Sequence, residues 1–349
     1  MINVLIAEDS PTSRDLLIHI FNSDPEIHIS SAVSNGAEAV AAVARRKPDV
    51  VMMDVHMPGM DGFEATRRIM STQPVPVIIV SETLVNQVTA TFDAYEAGAV
   101  AFMRHPLGPG HPDHLASAAE LLRTVKLMAE VKVVRRWHRQ DRPQKLAKLS
   151  HTGIGSAAGA MQLIAIGAST GGPIVLQGIL KALAHGLNVP VLIVQHIAPG
   201  FVQGLAELLG SSSGLPVHVA GHGIRALPGH VYIAPEDLHM GIDRDGRITL
   251  NDGAPEHGLR PSVSRLFRSV AESLGPNAVG VLLTGMGKDG AAELRLMKDK
   301  GAVTIAQDEQ SSVVHGMPGE AIKLDAATLV LPPDKIAATL TNLTDHTVN

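Results

Sequence analysis

At 349 residues the chain is longer than one hydrophobic core usually grows, so two domains are expected, each burying its own interior. A formal net charge of −5 argues against a nucleic-acid binder working through a basic surface, and the absence of cysteine excludes disulfides, thiolate zinc centres and a cysteine nucleophile. No apolar run approaches the length of a membrane span. The N-terminus opens on Ile2-Asn3-Val4-Leu5-Ile6-Ala7 without a charged region and cleavage site, so the expectation is a cytoplasmic protein with no membrane insertion.

The first strand, Val4 to Ala7, runs into Glu8-Asp9-Ser10-Pro11, where Ser10 suits an N-cap and Pro11 the first helical position. A second strand is expected near Ser31 to Val33, a helix from Ala37 to Arg46, and a buried strand from Asp49 to Met53 that ends at Asp54. Strands alternating with helices imply a parallel sheet, whose sites form at the carboxyl ends of the strands. Glu8, Asp9 and Asp54 would converge there. Each alone could be a helix cap, but together three like charges call for a hard cation with oxygen ligands, most naturally Mg²⁺.

The string Asp54-Val55-His56-Met57-Pro58-Gly59-Met60-Asp61-Gly62 resembles the response-regulator receiver family, and the resemblance extends over about the first 125 residues. It implies a flavodoxin-like doubly wound parallel sheet. It makes Asp54 the phospho-accepting aspartate, Glu8 and Asp9 the acidic pair, and the His56 carbonyl a further Mg²⁺ ligand. Ser81, after the strand Val77 to Val80, matches the family's hydroxyl switch residue, and Phe102 its aromatic partner. One position departs from the pattern: receivers carry a lysine before the proline of Phe102-Met103-Arg104-His105-Pro106, and here that place is held by His105. An unperturbed histidine is mostly neutral at pH 7 and shorter than lysine. Arg104 is charged, but adjacent strand residues face opposite ways.

From Asp113 to about Arg139 apolar residues recur with the spacing of one long amphipathic helix, ending in the basic run Arg135-Arg136-Trp137-His138-Arg139. A basic end complements the helix dipole, a reading favoured over a docking site. Residues from about Gln140 to Ala160 lack periodicity and read as a linker. A second α/β domain begins at Met161, with strands expected at Leu163 to Ile166, Val189 to Val194, Val217 to Ala220, Val279 to Leu283, Val303 to Ala306 and Thr328 to Leu331. Between Gly229 and Leu250 the Asp245-Gly246 turn, set between alternating runs, predicts an antiparallel hairpin attached to the parallel sheet.

Three motifs follow predicted strands of this second domain. Gly167-Ala168-Ser169-Thr170-Gly171 satisfies G-x-S-x-G, His196 follows Val191 to Gln195, and Thr284 to Gly290 follows Val281-Leu282-Leu283. A serine hydroxyl becomes nucleophilic when a base takes its proton, and an acid orients that base. Ser169, His196 and Asp289 can supply these roles. Taken alone, the glycine-rich turn fits a phosphate-binding loop as well as a nucleophile elbow, His196 is one of 17 histidines, and Asp289 could cap the helix from Gly290 to Lys300.

Gly167 to Pro173, Gln195-His196, Leu227 to Pro235, Arg260-Pro261-Ser262-Val263 and Leu283 to Ala292 together resemble the CheB family of chemoreceptor methylesterases, from about Met161 to Leu331. A receiver joined by a linker is that family's layout: residues 1–125 receiver, 126–160 helix end and linker, 161–349 catalytic domain, the last a doubly wound, mostly parallel α/β sheet with an antiparallel hairpin. The resemblance implies a Ser169 nucleophile, a His196 base and acid, an Asp289 orienter, and oxyanion donors at the Met286 N–H and near Thr170. It implies hydrolysis of glutamyl γ-methyl esters and deamidation of glutamines on chemoreceptor cytoplasmic domains, with no cofactor for hydrolysis. A histidine kinase of the CheA type is the implied phosphodonor, and the receiver is expected to restrain the esterase until Asp54 is phosphorylated. With His105 in the lysine position, a phosphorylation-independent docking receiver is the alternative, and a non-hydrolytic phosphate- or nucleotide-binding module is a third reading.

Overall fold

The structure, a computed structural model, describes residues 1–81, 93–131, 133, 161–197 and 200–345. The described residues fall essentially into two compact units, one N-terminal and one from Met161 onward. The expected linker, residues 140–160, and the basic run 135–139 lie outside the described residues.

The first unit contains β1 (Ile2–Ala7), α1 (Pro11–Asn22), β2 (Ile27–Val33), α2 (Gly36–Arg45), β3 (Val50–Asp54), α3 (Gly62–Thr72), β4 (Val77–Ser81), β5 (Ala101–Arg104) and α4 (His114–Ala129). Its five strands are parallel in the order β2-β1-β3-β4-β5, the flavodoxin-like order. β3 and β4 are buried along their whole length, as expected for strands covered on both faces. The chain reverses direction across the sheet between β1 and β3, which brings the residues after β1 beside the end of β3. Ser10 caps α1 as expected, its Oγ accepting from the Ser13 N–H, with Pro11 in the first turn. The helix predicted from Asp113 to Arg139 instead ends at Ala129, where the Glu130 N–H closes on the carbonyls of Leu127 and Met128. Val131, just beyond that cap, is buried, so apolar spacing continued past the point where the backbone left the helix.

The second unit contains β6 (Leu163–Ala168), α5 (Gly172–Leu183), β7 (Val191–Gln195), α6 (Val202–Ser213), β8 (Val217–Val219), β9 (Val231–Ile233), β10 (His239–Ile242), β11 (Ile248–Asn251), α7 (Val263–Ser273), β12 (Ala278–Leu282), α8 (Ala291–Asp299), β13 (Val303–Gln307), α9 (Met317–Lys323), β14 (Leu329–Leu331) and α10 (Pro333–Asp345). Seven strands form one sheet in the order β14-β13-β12-β6-β7-β9-β8, and every neighbouring pair is parallel. The expected hairpin is present as β10 and β11, with Ile242 opposite Ile248 across the turn. It forms a sheet of its own, and Val231–Ile233 belongs to the large sheet between β7 and β8. The reason is burial: all three residues of β9 and all four of β10 are buried, so each needs a covered face of its own. The hairpin finds its cover in α7, whose Ser269 Oγ accepts from the Ile242 N–H at 3.0 Å.

β6, first in the chain, lies in the middle of the sheet with β7 on one side and β12 on the other. This is the point where strand order changes direction, and the loops after β6, β7 and β12 emerge there side by side.

Candidate active site

The loop after β6 begins at Ser169, whose N–H donates to the Thr284 carbonyl beyond β12 at 3.0 Å. The loop after β7 begins at His196, whose N–H donates to the Ala168 carbonyl at 2.9 Å. Gln195, only 4 % exposed, ties the two together: its Nε2 donates to the Ser169 carbonyl at 2.9 Å and to the His196 carbonyl at 2.8 Å. On the other flank, a Cβ on Gly285 would lie 2.7 Å from the Ser169 Cβ, so glycine there is what permits the close approach of the third loop. After Ser169 and Thr170, Gly171 takes a φ of 77°, a left-handed turn that suits glycine, and α5 starts at Gly172.

Asp289 is 1 % exposed and its Oδ2 lies 3.0 Å from His196 Nε2. Three further donors meet the carboxylate from the start of α7: Ser262 Oγ to Oδ1 at 2.8 Å, the Val263 N–H to Oδ2 at 2.7 Å and the Ser264 N–H to Oδ1 at 3.0 Å. Burial alone would raise the pKa of this carboxyl. The bond to His196 and its charge, with the Ser264 and Val263 donors, overcome that and hold Asp289 well below the usual carboxylate range. Asp289 therefore does not cap α8, which starts at Ala291 after Gly290. It instead satisfies orphan donors of α7 while holding His196.

Four other histidines of this unit bond elsewhere. His222 bonds with Leu250, His230 with His218, His239 Nε2 with the Ala254 carbonyl, and His315 Nδ1 with Ser312 Oγ. Asp308, another acid that follows a strand of the sheet, accepts from the Ser311 N–H at 3.0 Å.

The loop carrying Met286 is fixed from beneath. Thr284 Oγ1 donates to the Val314 carbonyl at 3.2 Å and accepts from the Val314 N–H at 3.0 Å, while Gln307 Oε1 accepts from the Thr284 N–H at 2.8 Å. Gly285 in turn accepts from the Gly316 and Met317 N–H groups.

In the first unit, Glu8 and Asp54 meet where β1 and β3 end, and His105 joins them. His105 Nε2 lies 3.2 Å from Glu8 Oε2 and 3.6 Å from Asp54 Oδ1. Burial lowers the basicity of His105, but its bonds and charge interactions with Asp54 and Glu8 outweigh that and raise its pKa to about 9. The sequence-based expectation of a mostly neutral imidazole fails here because two buried carboxylates face the ring. The other carboxylate oxygens are also held: Glu8 Oε1 accepts from the Ser10 N–H and Asp54 Oδ2 from the His56 N–H, each at 3.0 Å. Asp9 is exposed and stands outside the three-residue cluster, and the His56 ring is exposed. Ser81 is buried at the end of β4, where its carbonyl accepts from the His105 N–H at 3.3 Å, and Phe102 is buried in β5.

Residues 164–340 match the family model described as CheB methylesterase, and residues 4–119 match that of the response regulator receiver domain. The chain belongs to the CheB methylesterase family. A relative from Nitrosospira multiformis, named protein-glutamate methylesterase/protein-glutamine glutaminase, is 52% identical over 98% of this chain and 97% of its own length. One from Geobacter metallireducens with the same name, numbered 4, is 53% identical over 98% of this chain and 99% of its own length. The CheB methylesterase catalytic domain of Thermotoga maritima is 38% identical, with a TM-score of 0.51, over 53% of this chain and 99% of that domain.

As a member of the CheB family, the chain was legible in its three chemical motifs, whereas the residues that hold them in place carried weaker signals. Ser262 and Ser264 follow Pro261 at the start of a helix, a pattern readable as capping but silent about which carboxylate it serves. Gln195 and Gln307 each close a buried strand, and only the tertiary fold shows that their amides join neighbouring loops.

Proposed function

We propose that the chain is a serine esterase that hydrolyses glutamyl γ-methyl esters on chemoreceptor cytoplasmic domains and deamidates receptor glutamines by the same acyl transfer. The observation that carries this reading is the 3.0 Å approach of His196 Nε2 to the buried Asp289, whose carboxylate three further donors hold in place. Ser169 Oγ attacks the side-chain carbonyl while His196 accepts its proton, then returns it to the departing methoxide oxygen or amide nitrogen, so that methanol or ammonia leaves. Asp289 fixes the tautomer and stabilises the imidazolium. With Nε2 facing Asp289, Nδ1 is the nitrogen that exchanges the proton. Charge developing on the carbonyl oxygen is met by the Met286 N–H and by the turn at Thr170, ahead of the α5 N-terminus. Water then hydrolyses the acyl-enzyme.

The receiver supplies control. Asp54 is the phosphorylation site, a CheA-type histidine kinase the phosphodonor, and Ser81 and Phe102 the switch pair that responds. The carboxylate oxygens of Glu8 and Asp54 are hard donors that fit Mg²⁺, with Asp9 and the His56 carbonyl completing the set, while the imidazole of His105 suits it less. When bound, the cation neutralises charge during phosphoryl transfer.

The test is methanol release from methylated receptor. Ser169→Ala should lower the rate by about 10⁶-fold, as removing a triad nucleophile does. Release that persists in that variant refutes the mechanism. A small-molecule phosphodonor should stimulate the native chain and leave Asp54→Asn unchanged, and equal rates with and without donor would make the receiver a docking domain.

A further inference from the structure

Among the described residues, one group of three metal-ligating side chains lies within mutual reach: Glu8, Asp54 and His105, whose ligand atoms all fall within 4.8 Å of one another. Neighbouring ligands around an ion bound at 2.0–2.2 Å are roughly 2.9–3.5 Å apart for octahedral or tetrahedral geometry. The separations of 3.2 Å and 3.6 Å from His105 Nε2 to Glu8 Oε2 and Asp54 Oδ1 are close to those edges. Glu8 is 2 % exposed, and its buried Oε2 lacks a well-aligned hydrogen-bond donor. The opposite oxygens of both carboxylates are tied to the Ser10 and His56 N–H groups, which aims the remaining ones at the same point as the imidazole. His105 is anchored as well, by its own N–H on the Ser81 carbonyl.

We propose that His105 is itself a metal ligand, and that Glu8, Asp54 and His105 form a site preferring a borderline divalent ion such as Co²⁺ or Zn²⁺ over Mg²⁺. A lysine ammonium has no lone pair to offer a metal, whereas an imidazole that releases its proton as the metal binds does. Mg²⁺ demands octahedral oxygen ligands and sheds water reluctantly, while imidazole suits Zn²⁺ and its neighbours. Two carboxylates with one imidazole therefore shift selectivity towards the transition ions. The inference stands on these three side chains alone and requires neither ester hydrolysis nor phosphorylation.

The experiment titrates the metal-stripped full chain with Co²⁺, follows its visible absorption, and then adds Mg²⁺, with no phosphodonor or receptor present. The native chain should bind Co²⁺ at a site that a hundredfold excess of Mg²⁺ fails to empty. His105→Lys and His105→Gln should each weaken that site by at least about 100-fold, the upper end of what losing even an outer-shell partner costs. Asp54→Asn, which leaves the histidine in place, should weaken it too. His218→Ala removes the other close imidazole pair, in which His218 Nε2 and His230 Nδ1 are 3.0 Å apart, and should leave the site unchanged. Co²⁺ binding that survives in both His105 variants, that disappears in His218→Ala, or that yields to equimolar Mg²⁺ overturns the proposal.

Discussion

His196 faces Asp289 through Nε2 at 3.0 Å, so the proposed proton transfer runs through Nδ1. Four groups converge on the carboxylate: three hydrogen-bond donors, Ser262 Oγ and the N–H groups of Val263 and Ser264, and His196 Nε2 at 3.0 Å. An amide in this place always turns its NH₂ group towards two of them. Asp289→Asn should therefore lower kcat by about 10⁴-fold, the cost of leaving a triad histidine in the wrong tautomer, with a small change in KM. It should also cost about 1–3 kcal/mol of stability for unpaired buried donors. Methanol-release kinetics and urea unfolding read the two effects separately.

The lowered pKa of Asp289 has a consequence for stability in acid. A carboxyl whose folded-state pKa lies below its unfolded value of about 3.9 contributes stability that is fully present above that value and is lost as pH falls towards the folded one. Between pH 6 and pH 3 the native chain should lose about 1 kcal/mol more than Asp289→Asn, which has no such proton to take up. Urea midpoints of both proteins at the two pH values check the sign. A larger acid loss in the asparagine variant would contradict it.

The two parallel sheets were readable because buried parallel strands are short, β-branched runs, and β3, β4, β6, β7 and β12 are buried at every position. The ends of those strands then located Ser169, His196, Asp289, Glu8 and Asp54. Less legible was anything decided by partners distant in sequence. Val231–Ile233 reads like part of a hairpin, yet its hydrogen bonds go to β7 and β8. The end of α4 was set by capping at Glu130 rather than by where apolar spacing stops. His105 looked neutral because sequence position says nothing of the two carboxylates that face it.

Val263 packs between two glycines, one shortly before Ser169 and one just after Asp289. A Cβ on Gly167 would lie 2.3 Å from Val263 Cγ1, and one on Gly290 would lie 2.4 Å from the same atom. Gly290 also has a φ of 82°, which alanine resists. Gly167→Ala should destabilise by about 1–3 kcal/mol through overpacking, and Gly290→Ala by more because strain adds to it. Val263→Ala, which removes the offending methyl groups, should rescue part of the Gly167→Ala loss, with a coupling of at least about 0.5 kcal/mol in a double-mutant cycle. Additive losses would mean that the loop yields elsewhere.

Gly316 offers a way to move the Met286 loop without touching the triad. A Cβ there would lie 2.8 Å from the Gly285 carbonyl oxygen, 2.9 Å from the Gly287 nitrogen and 3.1 Å from the Met286 Cα, all of them backbone atoms with little freedom to yield. Its own φ of −85° accepts alanine, so the effect of Gly316→Ala is steric rather than conformational. The displaced element is the one proposed to meet the oxyanion with the Met286 N–H, a contact made fully only in the transition state. Loss of such a donor costs about 3 kcal/mol of barrier, or 10²–10³ in kcat. Gly316→Ala should accordingly lower kcat towards that range with KM little changed, while Thr284 and Val314 keep the loop attached to the sheet. A rise in KM at constant kcat would show that the loop binds substrate generally and that the oxyanion is met elsewhere.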